Sequence, residues 1–139
     1  PNKEDLVIYE LLVRDFDDKR TYASVIDRLD YLEDLGITAL ELMPVNEFEG
    51  NLSWGYNPNF YFAPDKYYGP KNELKRLIDE CHQLRIAVII DLVLNPSFNS
   101  SPLARMQIIL GTTKNTIFKI QMRIGASILI TKVPTPKIL

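Results

Sequence analysis

Between Leu6 and Asn95, apolar runs alternate with helical periodicities, and this alternation limits the fold more than any other feature. The run Leu6-Val7-Ile8-Tyr9-Glu10-Leu11-Leu12-Val13 is rich in strand formers and reads as a buried strand. Val25, Ile26, Leu29, Leu32 and Leu35 then recur at the spacing of one helical face. Thr21 stands where an N-cap belongs, and Gly36 where a helix ends in the left-handed conformation. Ile37 to Met43 is a second strand, stopped by Pro44. Gly69-Pro70 opens a second helix, whose apolar face is Leu74, Leu77, Ile78, Cys81 and Leu84. Ile86 to Ile90 is a continuous apolar run, a third buried strand, ending at Asp91-Leu92-Val93-Leu94-Asn95-Pro96. Strand, helix, strand, helix, strand implies a parallel sheet with right-handed crossovers.

In such sheets ligands bind beyond the C-terminal ends of the strands. Three loops lie there: Arg14 to Asp18, Pro44 to Gly69, and Asn95 to Pro102. The first is acidic and has no glycine-rich turn, which disfavours phosphate and a nucleotide. A small flavodoxin-like binding protein is disfavoured for the same reason. The second is crowded with Trp54, Tyr56, Phe60, Tyr61, Phe62, Tyr67 and Tyr68, interleaved with Asn, Asp and Ser. Aromatic faces among hydrogen-bonding groups suit a sugar, whose ring offers C–H faces and hydroxyls. The same aromatics could instead pack the loop onto the body.

Asp91 ends a branched apolar strand, where a carboxylate is costly unless paired. It either faces a ligand or an arginine, or bonds a turn backbone. Glu10 and Glu41 sit inside apolar strands and read as a structural ion pair or as inward-facing groups. Cys81-His82 has no further ligands at metal spacing.

Net charge is −2, which gives no reason to expect a nucleic acid or an anionic membrane as partner. No apolar run reaches the ~18 residues of a membrane span. One cysteine excludes an internal disulfide. The start carries no signal-peptide pattern, but the chain opens at Pro1 without methionine, and its compartment stays open.

Several segments resemble the alpha-amylase family of glycoside hydrolases, pullulanase-like members included. Tyr9-Glu10-Leu11 through Asp15-Phe16 resembles that family's first barrel strand. Gly36 through Val45 resembles its second-strand motif. Trp54-Gly55-Tyr56-Asn57-Pro58, Phe62-Ala63-Pro64 and Tyr68-Gly69 resemble the loop that follows. Asp91-Leu92-Val93-Leu94-Asn95 resembles the motif at the end of the third strand. The resemblance implies part of a (β/α)8 barrel, with the first three strands and two helices, and an irregular or β-rich C-terminal tail. Residues 1–106 would be the barrel portion and 107–139 a divergent or frameshifted tail.

The resemblance also implies an α-glucan partner such as starch, glycogen or maltodextrin, cleaved with retention by paired carboxylates. In the family those carboxylates follow the fourth, fifth and seventh strands. This chain offers no position onto which they carry over, so no catalytic residue is assigned and the chain alone is expected to be inactive. The alternative is a non-catalytic carbohydrate-binding remnant. What carries over is Tyr56, matching a tyrosine that stacks on the sugar, and Asp91, matching an aspartate that organises the same subsite. Trp54 shares their loop. Asn95 matches an asparagine that ligates calcium in many members.

Two positions depart from the family pattern. Pro96 stands where histidine is usual. Arg85 stands where glycine is usual after the helix, and would be strained if φ there is positive. All 18 acidic residues lie at or before Asp91, a long gap at an ordinary acidic frequency of ~12%. Likeness to the family also ends at Met106. Pro96 and Arg85 suggest relaxed selection or an altered gene; the acid gap and the lost likeness suggest a reading frame or gene altered near Met106, the alternative being a genuine, divergent β-rich segment. Three strands of a barrel would leave open edges, which invite self-association.

Overall fold

The computed structural model describes residues 3–93, 101–102, 105 and 126–130, the last five by their backbone alone. Its main sheet has four strands, in the order β1 (Ile8–Leu11), β2 (Ala39–Leu42), β5 (Ala87–Leu92) and β6 (Ala126–Ile130). Strands β1 (Ile8–Leu11), β2 (Ala39–Leu42) and β5 (Ala87–Leu92) are parallel and in register, with Glu10 beside Glu41 and Glu41 beside Ile89. Helices α1 (Val13–Phe16), α2 (Tyr22–Ile26), α3 (Leu29–Asp34) and α4 (Lys71–Gln83) fill the connections. A separate hairpin, β3 (Asn46–Phe48) and β4 (Pro58–Pro64), rises from the loop after β2.

Strand parity divides the side chains between two faces. Tyr9, Leu11, Leu40, Leu42, Val88 and Ile90 lie on the helix side, in one core with Val25, Leu29, Leu32, Leu77 and Cys81. The opposite, inner face is turned away from the helices. It carries Glu10, Glu41 and Asp91, and its small apolar cluster is Ala39, Ala87 and Ile89, with Leu6 against it.

Several expectations need correction. The apolar period from Val25 to Leu35 is not one helix, because the chain breaks at Asp27-Arg28, where Arg28 has φ −115° and ψ 10°. A tandem β-branched pair and a short polar Asp make this a weak stretch of helix. The break lets α2 bury Tyr22 and Val25 and α3 bury Leu29 and Leu32, while Leu35 is left 50% exposed. The first strand is shorter than its apolar run, and Val7 and Ile8 are about half exposed. Among the described residues β1 pairs only with β2 and is an open edge. β5 is not an edge, since β6 (Ala126–Ile130) pairs with it antiparallel, placing Ser127 opposite Asp91.

The helix caps explain two sequence signals. Thr21 closes a capping box with Ser24 at the start of α2. After α4, Arg85 takes φ 62°, and the amides of Arg85 and Ile86 donate to the carbonyls of His82 and Cys81. This is a Schellman closure, in which glycine is the unstrained residue. A left-handed non-glycine residue costs roughly 1–2 kcal/mol, and glycine's freedom in the unfolded chain takes back part of that gain. Arg85→Gly is therefore expected to raise stability by about 0.5–1 kcal/mol. A urea midpoint that fails to rise would show that Arg85 makes compensating contacts.

Candidate functional site

The ends of β1, β2 and β5 carry the loops that hold the candidate residues. Tyr56, on the loop between β3 and β4, donates from its hydroxyl to Asp91 Oδ2 at 2.7 Å. Thirty-five positions of sequence separate them. Asp91 is the last inward-facing residue of β5, so the phenol lies across the strand ends. Partial burial, the bond to Asp91 and the charges of Asp91, Glu10 and Glu41 push the Tyr56 hydroxyl up to about 12. It therefore stays protonated and donates to the carboxylate at any physiological pH.

Trp54, two residues earlier, is 60% exposed on the same loop. Asn95 and Pro96 lie outside the described residues. Among the described residues, no group of three His, Cys, Asp or Glu side chains could hold a metal ion. Glu10 and Glu41 occupy the inner face beside one another. Cys81 is buried in the core, where burial pushes its thiol up to about 12 and leaves it a packing residue.

The loop is built by local hydrogen bonds. Asn57 Nδ2 donates to the Glu49 carbonyl at 2.9 Å, and the Glu49 amide donates to the Asn57 carbonyl at 3.2 Å. The Ser53 hydroxyl bonds Asn57 Oδ1 and accepts from the Gly55 amide. Gly55 has φ +91°, and a Cβ there would lie 2.6 Å from the Pro44 carbonyl oxygen. The loop therefore passes over the end of β2 at a distance that only glycine permits.

The aromatics divide between the two roles the sequence left open. Tyr68 is buried, meets Tyr22 edge-to-face at 5.9 Å and also packs on Phe48. Trp54, Tyr56, Phe60, Phe62 and Tyr67 are exposed. Phe62 also rims an apolar groove of about 290 Å³ between the hairpin and the outer faces of Leu74, Ile90 and Leu92.

Sequence reasoning missed two residues that shape this region. Arg14, on α1, reaches the loop backbone. Asp65 is fully buried below it, and its Oδ1 accepts from the Tyr67 amide at 2.9 Å. Among the described residues, Asp65 Oδ2 and the hydroxyls of Tyr22 and Tyr68 are buried without a hydrogen-bond partner. Desolvation holds the Asp65 carboxyl above the ordinary carboxylate range. No sequence signal marked Asp65, because Pro64-Asp65-Lys66 reads as an exposed turn.

The sequence profile of the alpha-amylase catalytic domain matches residues 15–102. The chain is 43% identical over 93 residues to malto-oligosyltrehalose trehalohydrolase of Saccharolobus solfataricus, covering 67% of this chain and 17% of that protein. It is 38% identical over 101 residues to the 1,4-alpha-glucan branching enzyme of Shewanella frigidimarina, covering 67% of this chain and 14% of that one. Among solved structures, an alpha-amylase from Lactobacillus plantarum superimposes with a TM-score of 0.67 at 30% identity, over 73% of this chain and 26% of that chain. The chain thus spans about a sixth of the length of the curated relatives it matches. Its three parallel strands and their helices are the corresponding part of a (β/α)8 barrel, and the chain belongs to the alpha-amylase catalytic-domain family.

Proposed function

We propose that this chain is the sugar-holding portion of a barrel that acts on α-glucans. The bond between Tyr56 and Asp91 carries the reading. It fixes an aromatic face at the strand ends with a carboxylate behind it, and Trp54 adds a second, exposed face on the same loop. A glucosyl ring can stack on the phenol while the free lone pairs of Asp91 accept from its hydroxyls. The names of the relatives, malto-oligosyltrehalose and 1,4-alpha-glucan enzymes, support a maltooligosaccharide as ligand.

The bond-breaking step is not assigned to any residue here. Family resemblance supplies no position in this chain for the nucleophile or the acid. The carboxylates at the strand ends serve to bind and orient. Acting alone, the chain is expected to bind sugar without turning it over, which is also the behaviour of a carbohydrate-binding remnant.

Titration of the purified chain with maltoheptaose tests this. Binding should saturate, and Tyr56→Ala should weaken it about tenfold, equivalent to ~1.4 kcal/mol. Release of reducing sugar from soluble starch by the chain alone would overturn the assignment of a binding role without catalysis. Equal affinity in the wild type and Tyr56→Ala would remove the phenol from the site.

A further inference from the structure

Arg14 lies on α1 directly beyond the end of β1, and the two sides of its guanidinium do different work. Nε donates to Asp15 Oδ1 at 2.7 Å and Nη2 to Asp15 Oδ2 at 2.8 Å, a bidentate fork. Nη1 turns the other way and donates to the carbonyls of Leu52, at 2.5 Å, and Ser53, at 3.0 Å. The Arg14 side chain is only 15% exposed, whereas that of Asp15 is 57% exposed. Asp15 thus holds the plane of the guanidinium from the solvent side, and the remaining edge grips the loop.

The two carbonyls belong to the residues immediately before Trp54. From Ser53 the hydrogen bonds continue to Gly55 and Asn57, which flank Tyr56. A chain of contacts therefore runs from the end of β1, through Arg14, to both aromatic residues of the candidate site. The neck of the loop is closed separately by Asn57 and Glu49. Arg14 ties the Leu52-Ser53 side of its tip to the end of β1, while Tyr56 ties the other side to Asp91 of β5.

We propose that Arg14 is a positioning residue that fixes the Trp54 and Tyr56 loop over the strand ends, with Asp15 orienting it. The role in sugar binding rests on the function proposed above; the role in ordering the loop does not. An arginine is suited to both tasks because its planar fork offers five donors in fixed directions. Lysine has a single nitrogen on a flexible stem and cannot serve the carboxylate and two carbonyls with the same geometry.

Trp54 is the one tryptophan of the chain, so indole fluorescence reports on this loop directly. The test compares full-length wild type, Arg14→Ala, Arg14→Lys and Asp15→Asn. Trp54 anisotropy and maltoheptaose titration are the readouts, with far-UV circular dichroism as the check on folding. Arg14→Ala should lower Trp54 anisotropy and weaken maltoheptaose binding tenfold or more, with unchanged far-UV spectra. Arg14→Lys should restore neither fully, and Asp15→Asn should shift both in the same direction by about threefold less. Unchanged anisotropy in Arg14→Ala overturns the proposal. If Arg14→Ala does not fold, Asp15→Asn decides, and an Asp15→Asn protein identical to wild type in both readouts overturns it. If the wild type binds no maltoheptaose, the sugar-binding reading fails, and the anisotropy comparison still decides whether Arg14 orders the loop.

Discussion

Gly55→Ala is expected to lower stability by about 2–5 kcal/mol and to abolish sugar binding. Two costs combine. A left-handed alanine is strained by roughly 1–2 kcal/mol. The added methyl also meets the Pro44 carbonyl oxygen at 2.6 Å and the Pro44 Cβ at 3.0 Å. Backbone cannot move aside as a flexible side chain can, and overpacking of this kind costs about 1–3 kcal/mol. Gly50 provides the control. Its φ is +71°, but a Cβ there meets nothing within 4 Å. Gly50→Ala should therefore carry only the strain, and the difference between the two urea midpoints isolates the contact with Pro44. Equal midpoints would show that the loop lifts away from β2 without cost.

The second large effect concerns the core. Leu40 is fully buried at the centre of β2, between the helices and two flanking strands. Leu40→Ala should cost about 2–5 kcal/mol by lost transfer energy and the cavity left behind. A domain of this size has about 5–15 kcal/mol in total, so much of the folded population is at stake. Ile89, on the same sheet but facing the inner wall, offers a contrast. Among the described residues its cluster holds only Ala39 and Ala87, with Leu6 alongside. Ile89→Ala should cost less than Leu40→Ala in urea unfolding followed by circular dichroism. The reverse order would mean that the inner wall, rather than the helix side, carries the stability of the chain.

How much of this was legible beforehand depends on the length of each signal. The parallel sheet was readable because Ile37–Met43 is mostly apolar and Ile86–Ile90 wholly so, with helix-length connections between the strands. The break between α2 and α3 was not, since Val25, Ile26, Leu29 and Leu32 keep the helical period straight across it. The β3–β4 hairpin was hidden by a three-residue strand and by prolines at both ends of its partner. The pairing of Tyr56 with Asp91 lies beyond any local pattern, and only likeness to the family brought the two residues into one subsite. Arg14 carried no signal of its own, because its partners are backbone carbonyls, which the sequence does not mark. Strain at Arg85 was legible from one residue type at a helix end, and φ 62° bears it out.

β6 has a kinetic consequence. Thirty-three residues separate Leu92 from Ala126, yet these two positions are register partners. Pairing them closes a long loop, and closure entropy is lost before any ladder bond forms. The contacts among β1, β2 and β5 span shorter separations, with helices between them. The parallel strands should therefore assemble first and β6 last, and β6 should be the first element to leave. The backbone of β5 on that side is then governed by a local opening equilibrium rather than by global unfolding. Its β6-facing amides should exchange hydrogen well before those that β5 donates to β2.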